Sequence, residues 1–246
     1  VAAITDASGQ ADPLAVEGAA PSYTIPNLAV DHVPVTLPLA TGRMRGNAHG
    51  YTAFFIESFV DEIARRSGRE PLSFRMAMLQ DDLRLAQCLQ KVSQLAGWDG
   101  GNNQSGQGVA CHRMGDGCIA VVATASRGEG GVRVDRLTVV ADLGRIVNLD
   151  IARQQIEGGL VFGLGCALGS ALFYGQGLPH TARLAGLDLP VLADCPQITV
   201  DFLDSQSDPV DPGELGMVAV APAIANALYS ATGLRFRRLP LLSDGL

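Results

Sequence analysis

Three apolar, β-branched or alternating runs, separated by glycine turns, constrain this chain more than anything else in it. They cover residues 108–113, 118–125 and 132–140. Met114-Gly115-Asp116-Gly117 lies between the first two, and Gly128 to Gly131 lies before the third. Short glycine turns between such runs predict antiparallel hairpins, so this stretch reads as a β-meander.

Helical patterns flank the meander. Residues 51–66 read as an amphipathic helix, with Phe54, Phe55, Phe59 and Ile63 at helical spacing and Glu57, Asp61 and Glu62 as its polar residues. Pro71 opens a second helix over 72–79, and 84–97 is a third. Beyond the meander, 150–173 predicts one long helix, 175–190 a loop, 197–203 an alternating strand, and 217–232 a helix rich in alanine. Helices, a meander, then helix, strand and helix give an α+β or mixed α/β fold. Residues 1–40 carry five prolines and no sustained period, and read as an extended arm. Within it, 23–25 and 32–33 are candidate short strands. Residues 41–246 form the main body, with an internal boundary at the glycine-rich loop 98–107. Val1 opens the chain, so its first residues read as a cut or processed end.

Composition narrows the function classes. A net charge of −7 leaves no basic stripe to neutralise phosphates, which argues against nucleic acid as a partner. The charged fraction is 17%, against about 25% in ordinary domains, so part of the surface is expected to meet another polypeptide. The five dispersed cysteines contain no CxxC pair and fit neither a zinc nor an iron–sulfur pattern. They read as small buried hydrophobes. Residues 158–176 are uncharged, but six glycines make them a buried helix sooner than a membrane span. Gly163, Gly165 and Gly169 have the wrong spacing for a dinucleotide fingerprint and follow a helix, not a strand. They read instead as sites of close helix packing.

Three glycine-rich places carry groups suited to chemistry. In the first, Glu214 stands between Gly213 and Gly216 before an apolar helix. A carboxylate enclosed there would become a usable base, whereas on a surface turn it would only favour the helix N-terminus. In the second, Arg45 lies in the turn GRMRGNAHG, where guanidinium or backbone N–H groups can hold an anion or simply meet solvent. In the third, Gln155 precedes a run of small residues and has the two donors and one acceptor that suit a heterocycle edge. His32, His49, His112 and His180 show no metal spacing.

Taken together and in order, these places resemble one family. The segments GRMRGNAHGYTAFFIESFVDEIARRSGREPLSFR, DLGRIVNLDIARQQIEGGLVFGLG and GELGMVAVAPAIANALYSATGLRFRRLPL resemble the xanthine dehydrogenase/aldehyde oxidase family of molybdenum hydroxylases. The likeness is to the molybdopterin-binding large subunit, of the isoquinoline 1-oxidoreductase type, and spans about residues 38–241.

The resemblance implies that Glu214 is the base beside molybdenum, although Asp211-Pro212-Gly213 replaces the family's usual Gly-Val-Gly. It implies that Arg45 and Gly46 belong to the arginine turn near the metal, with Met44 in place of an aromatic. Gln155, with Gly158 and Gly159, would lie against the pterin. No side chain is expected to ligate molybdenum, which the dithiolene of the cofactor holds. The cofactor would be molybdopterin, in its cytosine dinucleotide form, and the reaction a hydroxylation of an N-heterocycle or aldehyde with oxygen from water. The [2Fe–2S] clusters are expected on a separate small subunit. The family's other molybdopterin-binding segment is not found, so the chain resembles a carboxy-terminal portion needing a second polypeptide. No transmembrane segment is expected, and either cytoplasm or periplasm is compatible. A non-catalytic structural or maturation subunit that keeps the fold is the alternative.

Overall fold

The computed structural model describes residues 12–35, 39, 42–128, 131–181 and 183–241. Helices α1 (His49–Arg66), α2 (Pro71–Met78) and α3 (Leu83–Ala96) precede strands β1 (Gln107–Met114), β2 (Gly117–Gly128) and β3 (Gly131–Asp142). Helix α4 (Leu149–Leu168) follows. After it come the short ladder of β4 (Tyr174–Gly175) and β5 (Leu178–Pro179), strand β6 (Gln197–Phe202), and helices α5 (Leu215–Val218) and α6 (Val220–Thr232). The predicted meander forms as β1-β2-β3, antiparallel throughout. β6 joins it parallel to β3, a pairing that needs the long connection through α4.

The sheet is covered on both faces, which explains why its strands are apolar without strict alternation. Ile119, Val121 and Ala123 face a core shared with Ile156, Leu160, Val218 and Ile224 of the α4–α6 side. Their neighbours Cys118, Ala120 and Val122 face a second core with Leu85, Leu89 and Val92 of α3. Arg84 clamps both oxygens of Asp142 at 2.6 and 2.7 Å, and Arg113 does the same to Asp82, so α3 and the strand ends are fixed together. Cys88, Cys111 and Cys118 are buried, Cys166 and Cys195 partly so, and all five are unpaired thiols.

Several expectations change. The arm residues 23–25 and 32–33 form no strand; Tyr23 is instead a buried anchor whose hydroxyl donates to Glu57. The 217–232 helix is broken at Ala219. Pro222 has no N–H to give Val218, and its ring would strike that carbonyl in a continuous helix. The 215–232 stretch is apolar and long enough to cross a membrane, yet 83% of it is buried inside the fold, the position of a core helix. Helix α4 stops at Gly169, before the predicted end at 173.

The largest reversal concerns α1. The helix forms where predicted, but Glu57 and Asp61 face inward, while Phe55 and Phe59 are 59% and 62% exposed. Glu57 accepts from Arg75 Nε at 2.9 Å, from Cys111 N at 3.0 Å and from the Tyr23 hydroxyl. Asp61 accepts from Arg65 at 2.8 Å and Arg235 at 2.6 Å. Arginines arriving from α2 and from beyond α6 therefore make the polar side the inner one. A period of 3.6 shows that a helix has two faces, without showing which one the rest of the chain will cover.

Candidate functional site

The three glycine-rich segments meet at one corner of the molecule. The Arg45 guanidinium holds them together. Its Nε donates to Gly213 O at 2.8 Å and its Nη2 to Gln155 O at 3.0 Å. The turn before α1 is thus tied to the α5 turn and to α4. Local sequence shapes each part. Asn148 caps α4 through Ile151 N at 3.0 Å, and Gly46 and Asn47 adopt φ values of +88° and +48° in the arginine turn. A β-carbon at Gly46 would collide with the Met217 sulfur.

Glu214 stands at the start of α5 and is half-buried rather than enclosed. Its side chain caps none of its own helix's N–H groups. It accepts instead from Asn47 Nδ2, at 3.0 Å through Oε2. Its position therefore depends on a residue far away in sequence, which a plain helix-start glutamate would not require.

Helix α4 has two unlike glycine faces. Gly159 is spent on packing, because a β-carbon there would lie 2.8 Å from Gly216 Cα. Gly163 likewise lies against Met217 O and Val220. Gly158 points outward, and a β-carbon there would meet only Arg45 Nη1, at 3.8 Å. One turn away, the exposed Gln155 amide makes no side-chain hydrogen bond among the described residues. Ile151, Gln155, Gly158 and Phe162 make one exposed stripe at helical spacing.

Of the six predicted residues, Arg45, Gln155, Gly158 and Glu214 thus border the open corner. Gly46 and Gly159, expected beside the cofactor, are closed off by α5. The free amide, the bare glycine face and the arginine edge suit a flat heterocycle carrying donors and acceptors. Among the described residues, no group of three or more His, Cys, Asp or Glu could hold a metal ion.

Sequence reading missed two neighbours. One is Asn47. The other is the pair of His49 Nδ1 and His112 Nε2, 2.8 Å apart across α1 and β1. Burial, then its partner His49, pushes His112 down to about 3. Burial also lowers His49, against the pull of Glu17 and Glu214. Gly18 of the arm lies over the pair, held by Thr52, which donates to Glu17 O at 2.8 Å. The only signal in the sequence was a polar turn, which does not reveal where its side chains point.

Known proteins bear on this arrangement. The molybdopterin cofactor-binding domain profile matches residues 84–196, which include α4 with Gln155 and Gly158. The chain is 28% identical over 238 residues to isoquinoline 1-oxidoreductase subunit beta of Brevundimonas diminuta, covering 94% of this chain and 30% of that one. It is 41% identical over 126 residues to the aldehyde oxidoreductase molybdenum-binding subunit PaoC of Escherichia coli (strain K12), covering 48% of this chain and 17% of that subunit. The chain therefore spans under a third of the length of these relatives. The aldehyde oxidoreductase of Desulfovibrio gigas shares the fold, with a TM-score of 0.63 at 15% identity over 80% of this chain and 40% of that one. Residues 84–196 thus match a molybdopterin cofactor-binding domain, and the chain is similar to part of the large, molybdenum-binding subunits of such oxidoreductases.

Proposed function

We propose that this chain supplies the catalytic base and one wall of the molybdopterin pocket in a molybdenum hydroxylase that oxidises an N-heterocycle or an aldehyde. One observation carries the reading. Arg45, Gln155 and Glu214, far apart in sequence, are drawn to one open corner by hydrogen bonds of 2.8–3.0 Å. The relatives named for isoquinoline and aldehyde oxidation support this choice of substrate class.

When bound, molybdopterin would supply the redox-active metal and the acceptor for the substrate's electrons. The residues of this chain supply position and proton handling. Gln155, the free edge of Arg45 and the bare face of Gly158 are the residues that would hold the pterin. Glu214 takes a proton at Oε1 while Asn47 holds Oε2. The carboxylate is thereby oriented and kept short of full solvation, as a general base requires. The cytosine dinucleotide form of the cofactor, a separate [2Fe–2S] subunit and a second polypeptide completing the large subunit belong to the same proposal.

The test is metal and pterin analysis of the purified, matured assembly. Molybdenum and a pterin in stoichiometric amount with this chain are expected. Their absence would favour a structural or maturation subunit that has kept the fold.

A further inference from the structure

The outward face of α1 is apolar and uncovered. Phe55, Phe59 and Ile63 follow one another at intervals of four residues, and all three are exposed. Together with Ile25, Phe74 and Phe236 they line a groove of about 790 Å³. The arm does not close it, since Ile25 and Leu28 on its edge are themselves exposed. The groove offers no spare charge. Its Glu62 and Arg237 pair with each other at 2.7 Å, and Arg235 is taken by Asp61. The Ser58 hydroxyl beneath its wall is buried, with no hydrogen-bond partner among the described residues.

A helix with carboxylates inward and phenyl rings outward is built to lie between two bodies. Exposed apolar patches of this kind mark interaction sites, and aromatic rings dominate the energetics of such contacts. The occupant follows from length and charge. The Brevundimonas relative has 70% of its length outside the match, where this chain spans 30% of it. A groove whose charges are all paired internally suits an apolar segment and repels an unpaired charge.

We propose that this groove seats an apolar segment of the polypeptide completing the large subunit. The proposal rests on the molybdenum hydroxylase reading for the identity of that polypeptide. It adds where the two bodies meet, and separates that surface from the Glu214 corner, which shares no residue with the groove.

The test places p-benzoylphenylalanine at position 59 of the tagged full chain, assembled in cells with the enzyme's other chains. After irradiation, adducts are sequenced by mass spectrometry. The expected adduct is a polypeptide matching the part of the relatives' large subunit that this chain lacks. An adduct with a second copy of this chain, or an intact assembly without adduct, overturns the proposal. Phe59→Glu should lower co-purification of that polypeptide at least tenfold, with an unchanged unfolding midpoint; full co-purification also overturns it. Molybdenum is measured on the same samples. A metal-free assembly bearing the expected adduct would sink the catalytic reading and leave the docking surface standing.

Discussion

Two carboxylate sites in this chain use the same chemistry for opposite ends. Glu57 and Asp61 lie inside, 1% and 0% exposed, and arginines from three directions answer them. Glu214 lies at an open corner, half-buried, with one side-chain donor on Oε2. Glu57 accepts on both oxygens and Asp61 twice on Oδ2, with its Oδ1 sealed from solvent, so both hold segments together and are closed to a reacting proton by burial. A carboxylate held on one oxygen only is oriented and still available. Access of the free oxygen to the open corner, together with the number of partners, separates the structural acids from the candidate base.

The sharpest way to break this comparison is Arg75→Leu. Arg75 is completely buried and donates to both the side chain and the backbone carbonyl of Glu57. Removing it leaves a buried carboxylate under-compensated, so a loss of about 3–5 kcal/mol in urea denaturation is expected. A loss below about 1 kcal/mol would mean that the inner cluster is not structural.

Glu214→Gln is the complementary test. Stability should change by less than about 0.5 kcal/mol, because the amide keeps the shape and one oxygen for Asn47. Turnover of the assembled enzyme should fall roughly 10²- to 10⁴-fold with molybdenum retained. Near-normal turnover would return Glu214 to an ordinary turn residue.

The histidine pair lies between the two cases: His112 on β1 is buried, and the half-buried His49 begins the helix that follows the Asn47 turn. His112 stays neutral in the fold down to about pH 3, whereas an unfolded histidine takes up a proton near 6.5. The unfolded state then binds more protons below about pH 6.5, so stability is complete above that value and falls as pH drops towards 3. Between pH 7.5 and 5 the loss should be about 2 kcal/mol. His112→Gln should flatten this dependence in paired denaturation curves. An equally steep loss in the variant would assign it to other groups.

These differences show how much a sequence of this kind reveals. Strands β1 to β3 were legible because their side chains and glycine turns encode local geometry, and Arg45, Gln155 and Glu214 stood out as candidates because each lies in a glycine-rich motif. The inward turn of Glu57 and Asp61 was not legible. It depends on Arg75 and Arg235, which are placed only once α2 and the segment after α6 have packed. Asn47 was missed for the same reason: its hydrogen bond spans 167 residues of sequence. The closed positions of Gly46 and Gly159 follow from α5, whose break at Ala219 turns on one proline ring.

The smallest expected effect probes that missed contact. Asn47 holds a left-handed φ of +48°, which asparagine tolerates better than most residues, so Asn47→Asp tests the donor with little backbone strain. The aspartate puts a second negative charge where the Nδ2 group stood, 3.0 Å from Glu214 Oε2. Like charges disfavour the ionised pair, so the acid limb of the rate profile should move to higher pH. Asn47→Ala removes the donor without adding a charge, at a small further cost in backbone strain at φ +48°. A net cost of about 1 kcal/mol is expected, or a roughly five- to tenfold fall in kcat/KM, with the shape of the pH profile nearly kept. A contact that merely fixes the turn would lower stability in both variants and leave both pH profiles unmoved. A shift in Asn47→Asp alone would assign Asn47 to the carboxylate, and would make the partner count at Glu214 a tunable property of the site.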